Sequence, residues 1–149
     1  MKSWRWFQAL AVILAIFTVG HTVGTISSIT NSPDEAVVIN TMQSHRFPVM
    51  GFHRSYWEFY RGFSITITVL LAVLAVIAWQ LGTIARKDPG TALPIAVTLL
   101  AACAANAMVS WFYFFTAPMV LSAAAVICAA VGVLALTKER TAHPDITTG

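Results

Sequence analysis

Four apolar stretches, each close to the length of a membrane crossing, occupy most of this chain: Trp6 to about Ser27, Gly62 to Leu81, Leu93 to Phe115, and Pro118 to Thr137. A helix needs about 20 mostly apolar residues to cross the hydrocarbon of a bilayer, where its backbone N–H and C=O groups must pair within the segment. The expected fold is all-α, an integral membrane four-helix bundle forming one domain over 1–149, with an outer loop at 28–61 and a polar tail at 138–149. Composition points the same way. The chain is 58% hydrophobic and only 10% charged, with a mean hydropathy of +0.75, whereas soluble domains are about a quarter charged.

The connections between the stretches set the orientation. Only Thr116 and Ala117 separate the third from the fourth, and Pro118 suits a first helical turn because its missing N–H would be unpaired there. Arg86-Lys87-Asp88-Pro89-Gly90 separates the second from the third. Four crossings leave both termini on one side, where Lys2, Arg5, Arg86, Lys87, Lys138 and Arg140 outnumber Arg46, Arg54 and Arg61 opposite. An excess of Lys and Arg marks the cytoplasmic face, so the expected location is the cell's inner membrane with both termini cytoplasmic. The other reading of the N-terminus is a signal peptide cut near Thr18-Val19-Gly20, which would leave three crossings. No Ala-x-Ala-like site is present there, and four crossings are preferred.

The net charge of +3 comes from basic residues in small groups at helix ends. They read as anchors near anionic lipid, and no basic stripe suggests a nucleic-acid partner. Cys103 and Cys128 fall inside apolar stretches without metal-type or paired spacing, and read as small core residues. Gly20 with Gly24, Ala101 with Ala105, and the series Ser122, Ala125, Ala129 and Gly132 are small residues at helical spacing, expected where helix backbones approach in lipid.

The outer loop carries most of the individuality. Ser32-Pro33-Asp34-Glu35 has the form of a helix start, with Ser32 as cap, Pro33 in the first turn and Glu35 completing a capping box. Ala36, Val38, Ile39 and Met42 give this short extracytoplasmic helix an apolar side, and it is expected to end near Gln43. It is read as amphipathic and lying along the interface, with a lid over the bundle as the alternative. The following His45 to Phe52 contains Pro48 and Gly51 and is expected to be an irregular re-entry, with the second long helix resuming at His53.

On that helix Arg54, Glu58 and Arg61 stand at i, i+4 and i+7, so one carboxylate is expected between two guanidinium groups. Charges near hydrocarbon are costly unless they pair or face a wet cavity. Tyr56, Trp57 and Tyr60 fit either an aromatic belt at the interface or the lining of a site. His21, between Gly20 and Gly24, and Asn106, one turn before Ser110, are polar groups within apolar stretches that suit an interhelical hydrogen bond or a functional role.

Together His21, Arg54, Trp57, Glu58, Tyr60, Arg61 and Asn106 are expected to line an outer-side pocket for an amphipathic molecule. Arginines there would meet carboxylate, phosphate or carbonyl oxygens, and aromatic rings a tail or headgroup ring. A quinone, a lipid or an isoprenoid has that chemistry. The chain is equally open to a role as an accessory subunit, with a homo-oligomer or a membrane partner subunit. A membrane-embedded enzyme acting on a lipid-like substrate is the first alternative, with His21 and Glu58 as an acid–base pair. A purely structural scaffold is the second. No nucleophile has a triad context, and His21, His45 and His53 lack metal-ligand spacing, so no catalytic residue, metal ligand or cofactor is assigned. A transporter would call for broken helices in paired halves, which are not seen.

The Gly20-His21-Thr22-Val23-Gly24 ending of the first helix, the stretch Arg54-Ser55-Tyr56-Trp57-Glu58-Phe59-Tyr60-Arg61-Gly62-Phe63 and the two tightly joined final helices carry a resemblance. In that layout the chain resembles uncharacterised small four-helix bacterial membrane proteins and, more distantly, the DoxX-like group. The resemblance covers nearly the whole chain and implies the four-helix architecture. It also implies a lean toward quinone or respiratory chemistry, and it carries no functional residue over.

Overall fold

The computed structural model of the protein describes residues 2–27 and 32–142. Its elements in order are α1 (Ser3–Ile26), α2 (Pro33–Ser44), β1 (Arg46–Val49), β2 (Phe52–Ser55), α3 (Tyr56–Lys87), α4 (Pro89–Tyr113) and α5 (Thr116–Ala142). The helices α1, α3, α4 and α5 are each long and apolar enough to cross a membrane, which is the build of a multi-pass membrane protein.

Charged and polar residues extend α3 and α5 past the expected limits at both ends, whereas α1 and α4 begin earlier than expected and end at Ile26 and Tyr113, just short of the expected Ser27 and Phe115. α3 begins six residues before Gly62 and continues to Lys87. The expected charged break before α4 shrinks to Asp88, which caps α4 by accepting from the Thr91 N–H at 3.1 Å, with Pro89 in the first turn. Hydrogen bonds from the Thr91 hydroxyl and N–H hold the Asp88 carboxyl below its usual range. The turn between the last two helices is Phe114-Phe115, and α5 extends through Lys138, Glu139 and Arg140, where a tail was expected. The rest of that expected tail, 143–149, lies outside the described residues, as does 28–31 of the outer loop.

The chain divides into two compact units, Met1–Phe17 with Leu71–Gly149, and Thr18–Leu70. In the first, all four long helices contribute to one core. Phe7, Leu10, Ala11, Leu14 and Phe17 of α1 recur at helical spacing and meet Leu71, Ala78, Leu81 and Ala85 of α3, Ala92, Ala96, Leu99 and Cys103 of α4, and Ala125, Cys128, Ala129 and Leu136 of α5. Small residues let the backbones close up, since association in lipid depends on van der Waals contact. The expected series Ser122, Ala125, Ala129 and Gly132 is buried, and both cysteines are buried as expected. Gly82 lies against the Trp4 carbonyl and Gln8, close enough that a Cβ there would stand 3.1 Å from the Trp4 oxygen.

Two of the expected packing pairs do not pack. Gly20 and Gly24 are exposed, with nothing within 4 Å of where a Cβ would lie, and Ala101 and Ala105 are exposed as well. Their spacing marks a helix face of small residues, and that face is not the one turned to the core.

In the second unit, His45 to Phe52 is not irregular. β1 and β2 form an antiparallel hairpin with Arg46 opposite Ser55, Phe47 opposite Arg54, Pro48 opposite His53, and Val49 opposite Phe52. Met50 and Gly51 make the turn with φ of 48° and 87°, the paired positive values of a two-residue hairpin turn whose twist matches the strands. Pro48, which lacks an N–H, is tolerated because a two-stranded sheet consists of edges. α2 is capped by Ser32, whose hydroxyl accepts from the Glu35 N–H at 3.2 Å. Ala36, Ile39 and Met42 are half-buried, whereas Val38 on the expected apolar side is 58% exposed and no residue of α2 is fully buried.

Candidate functional site

The start of α3 is set by a short signal, Ser55-x-x-Glu58. The Ser55 N–H donates to Glu58 Oε2 at 2.7 Å, and the Glu58 N–H donates to Ser55 Oγ at 3.2 Å. This reciprocal cap satisfies two backbone donors at a helix end. It fixes Tyr56 as the first helical residue where His53 was expected, because the segment before it is needed as β2.

Glu58 does lie between two guanidinium groups, but not the expected pair. Arg54 Nη1 is 3.7 Å from Oε1, and Arg46 Nη2 is 3.5 Å from Oε2, with Arg46 also donating to the His53 carbonyl at 2.9 Å. The hairpin register explains the substitution. Arg46 pairs with Ser55, the cap residue, and so arrives beside the Glu58 carboxylate. Arg61 is exposed and makes no ion pair among the described residues. The Glu58 ion pairs are themselves partly exposed, so screening keeps their contribution small.

Beside Arg54 and Glu58 a groove of about 430 Å³ runs along α3, lined further by Phe59, Gly62, Phe63 and Thr66. Its upper end is charged and its length is aromatic and apolar. Phe59 and Phe63 lie with ring centroids 6.3 Å apart, and Phe47 of β1 lies over Phe59 at 6.0 Å and against Tyr56 at 4.6 Å. The hairpin is thereby docked on the first turns of α3. Gly62 keeps the groove open, since a Cβ there would meet nothing within 4 Å.

The remaining expected residues fall elsewhere. Trp57 and Tyr60 stack on each other with centroids 5.4 Å apart and do not line the groove. His21 Nδ1 is 3.0 Å from Thr68 Oγ1, and Thr68 donates its own proton to the Ser64 carbonyl at 3.2 Å. The hydrogen bond between the imidazole and the Thr68 hydroxyl holds α1 to α3 as an interhelical link. Thr68 is ten residues beyond Glu58, about 15 Å along the helix at its usual rise, so His21 and Glu58 do not form an acid–base pair. Asn106 is half-buried on α4 and belongs to the other unit.

Arg46, Phe47, Ser55, Phe59 and Phe63 build this end of the molecule without having been singled out in the sequence. Ser55 was readable from the capping pattern and Phe59 with Phe63 from their i, i+4 spacing. Arg46 was not, because its place follows from the hairpin. A run of exposed aromatics at the end of α4, Trp111-Phe112-Tyr113-Phe114-Phe115, also went unread, and has the composition of a membrane-interface belt. Compared with known protein families, curated proteins and solved structures, the chain has no significant match.

Proposed function

We propose that the protein is a multi-pass membrane protein that binds an amphipathic molecule, such as a quinone, a lipid or an isoprenoid, along the α3 groove. The observation that carries this reading is the graded lining. The Arg54 and Glu58 charges stand at one end, and Phe59, Gly62, Phe63 and Thr66 continue from them on one helix face. Arg54 is available to an oxygen-rich headgroup, and the Phe59 and Phe63 rings to a ring or chain. In this reading the inner cell membrane is the location, both termini are cytoplasmic, and the hairpin with α2 is extracytoplasmic.

Glu58 is committed to the cap and to two arginines, which favours binding over catalysis. The same fact supports a second reading, in which this end is a rigid scaffold for a membrane partner subunit and the resemblance to the DoxX-like group reflects architecture alone.

The test is photo-crosslinking with a quinone or lipid probe in the native membrane, followed by mapping of the labelled peptide. Gly62→Leu fills the groove from a position where nothing else is touched, so it should abolish labelling of α3 while the thermal stability stays that of the parent. Unchanged labelling in a folded Gly62→Leu protein would leave the scaffold reading.

A further inference from the structure

The first unit has a second groove, of about 910 Å³, where α1 begins, α3 ends, α4 begins and α5 ends. Lys2, Trp4, Arg86, Lys87, Glu139 and Arg140 are among its lining residues. Its two carboxylates are already engaged. Glu139 accepts the Ser3 N–H at 2.8 Å and the Ser3 hydroxyl, tying the end of α5 to the positive end of the α1 dipole. Asp88 accepts from Thr91 as the cap of α4.

Neither carboxylate meets a cation, since the ion pairs among the described residues are those of Glu58. Lys2, Arg86, Lys87 and Arg140 thus bring four positive charges to one concavity with no ion-paired partner among the described residues. Trp4 forms part of its wall, with the Arg86 guanidinium 5.8 Å and the Arg5 guanidinium 5.3 Å from the ring centroid. The groove lies at the ends of four apolar helices, the level at which Trp, Lys and Arg meet phospholipid headgroups.

We infer that this groove binds the phosphodiester headgroup of an anionic phospholipid, with Lys2, Arg86, Lys87 and Arg140 around the phosphate oxygens and Trp4 beside the glycerol. A lipid is the favoured source of the phosphate. Exposed cations in water hold a small free anion weakly, whereas a lipid adds the contact of its chains with the apolar helix faces beneath. This inference stands apart from the α3 groove and survives if that reading fails.

The experiment is native mass spectrometry of the full chain from nanodiscs holding equal phosphatidylglycerol and phosphatidylcholine. Arg140→Gln removes an exposed groove cation, Lys87→Gln/Arg140→Gln removes two, and Lys138→Gln removes an exposed cation of α5 outside the groove lining. At the usual strength of a basic residue near an anionic surface, the preference for phosphatidylglycerol should fall roughly fivefold in the single groove variant and roughly thirtyfold in the double. Lys138→Gln should leave it within about twofold. Should the double variant fail to fold, the contrast of Arg140→Gln with Lys138→Gln decides alone. An equal loss from both single variants would mean a diffuse basic surface and overturn the site, as would an unchanged preference in the double. Displacement of the bound lipid by low-millimolar inorganic phosphate would assign the groove to a free anion and overturn the lipid.

Discussion

Ser55 and Glu58 hold each other's backbone N–H groups, at 2.7 Å from the Ser55 nitrogen to Glu58 Oε2 and 3.2 Å from the Glu58 nitrogen to Ser55 Oγ. The same carboxylate receives Arg46 from the hairpin and Arg54 from its last strand. A single side chain thus joins the start of α3 to both strands at the charged end of the groove.

Removing the cap should therefore cost more than removing the arginine that the helical spacing singled out. Ser55→Ala is expected to destabilise the protein by about 1 kcal/mol, the usual loss for a serine cap. It should also raise amide exchange in the first turn of α3. Arg61→Ala should leave both unchanged, because Arg61 is exposed and makes no ion pair among the described residues. Thermal unfolding in mild detergent with exchange mapping checks the contrast, and an Arg61→Ala loss as large as that of Ser55→Ala would reinstate the Arg54–Glu58–Arg61 arrangement.

In the core, a Cβ on Gly132 would lie 2.8 Å from two ring carbons of Phe7, which is fully buried. Gly132→Ala must push that ring into packed neighbours, and overpacking of this kind costs about 1–3 kcal/mol. Combining it with Phe7→Leu should recover part of the loss, since contacting residues couple. A denaturant titration of the two single variants and the double measures the coupling. Simple additivity would mean that the two helices do not meet at this point.

How much of this was legible follows from which residues need only local reasoning. The four long helices were readable because lipid admits few spanning structures, and the α5 series from Ser122 to Gly132 was readable because small residues at helical spacing suit close packing. Gly20 with Gly24 shows the limit. Spacing places two glycines on one face but does not say what that face meets, and here it is open. The hairpin was missed because Pro48 and Gly51 were both read as breakers of regular structure, whereas Gly51 belongs to the two-residue turn and Pro48 sits in an edge strand. With the hairpin went Arg46, whose partner is set by cross-strand register. His21 was rightly placed as an interhelical hydrogen-bonding candidate, but its partner Thr68 required the turn of α3.

The open face of Gly20 and Gly24 gives an outcome opposite to that of Gly132. Gly24→Ala should be close to neutral or slightly stabilising in the isolated protein, because the new methyl meets nothing within 4 Å and alanine is the better helix former. A thermal melt of Gly24→Ala beside Gly132→Ala tests this. Destabilisation of the Gly24 variant would mean that another chain packs on this face in the folded assembly.

The hairpin turn stores strain at one identifiable place. Met50 has φ 48° and is 96% exposed, so it holds a left-handed backbone without gaining burial. Met50→Asn replaces it with a residue suited to that conformation, giving the Asn-Gly pair favoured in such turns. It should stabilise the hairpin by about 0.5–1 kcal/mol. Gly51→Val, at φ 87°, should cost more than 1 kcal/mol in the opposite direction. Amide exchange over Arg46–Val49 and Phe52–Ser55 reads both changes. Because the hairpin delivers Arg46 to Glu58, opening it in Gly51→Val should also remove one of the two guanidinium groups at the head of the α3 groove. Slower exchange in Met50→Asn together with faster exchange in Gly51→Val is the result that the turn geometry requires, and equal exchange in the two variants would place the strain elsewhere.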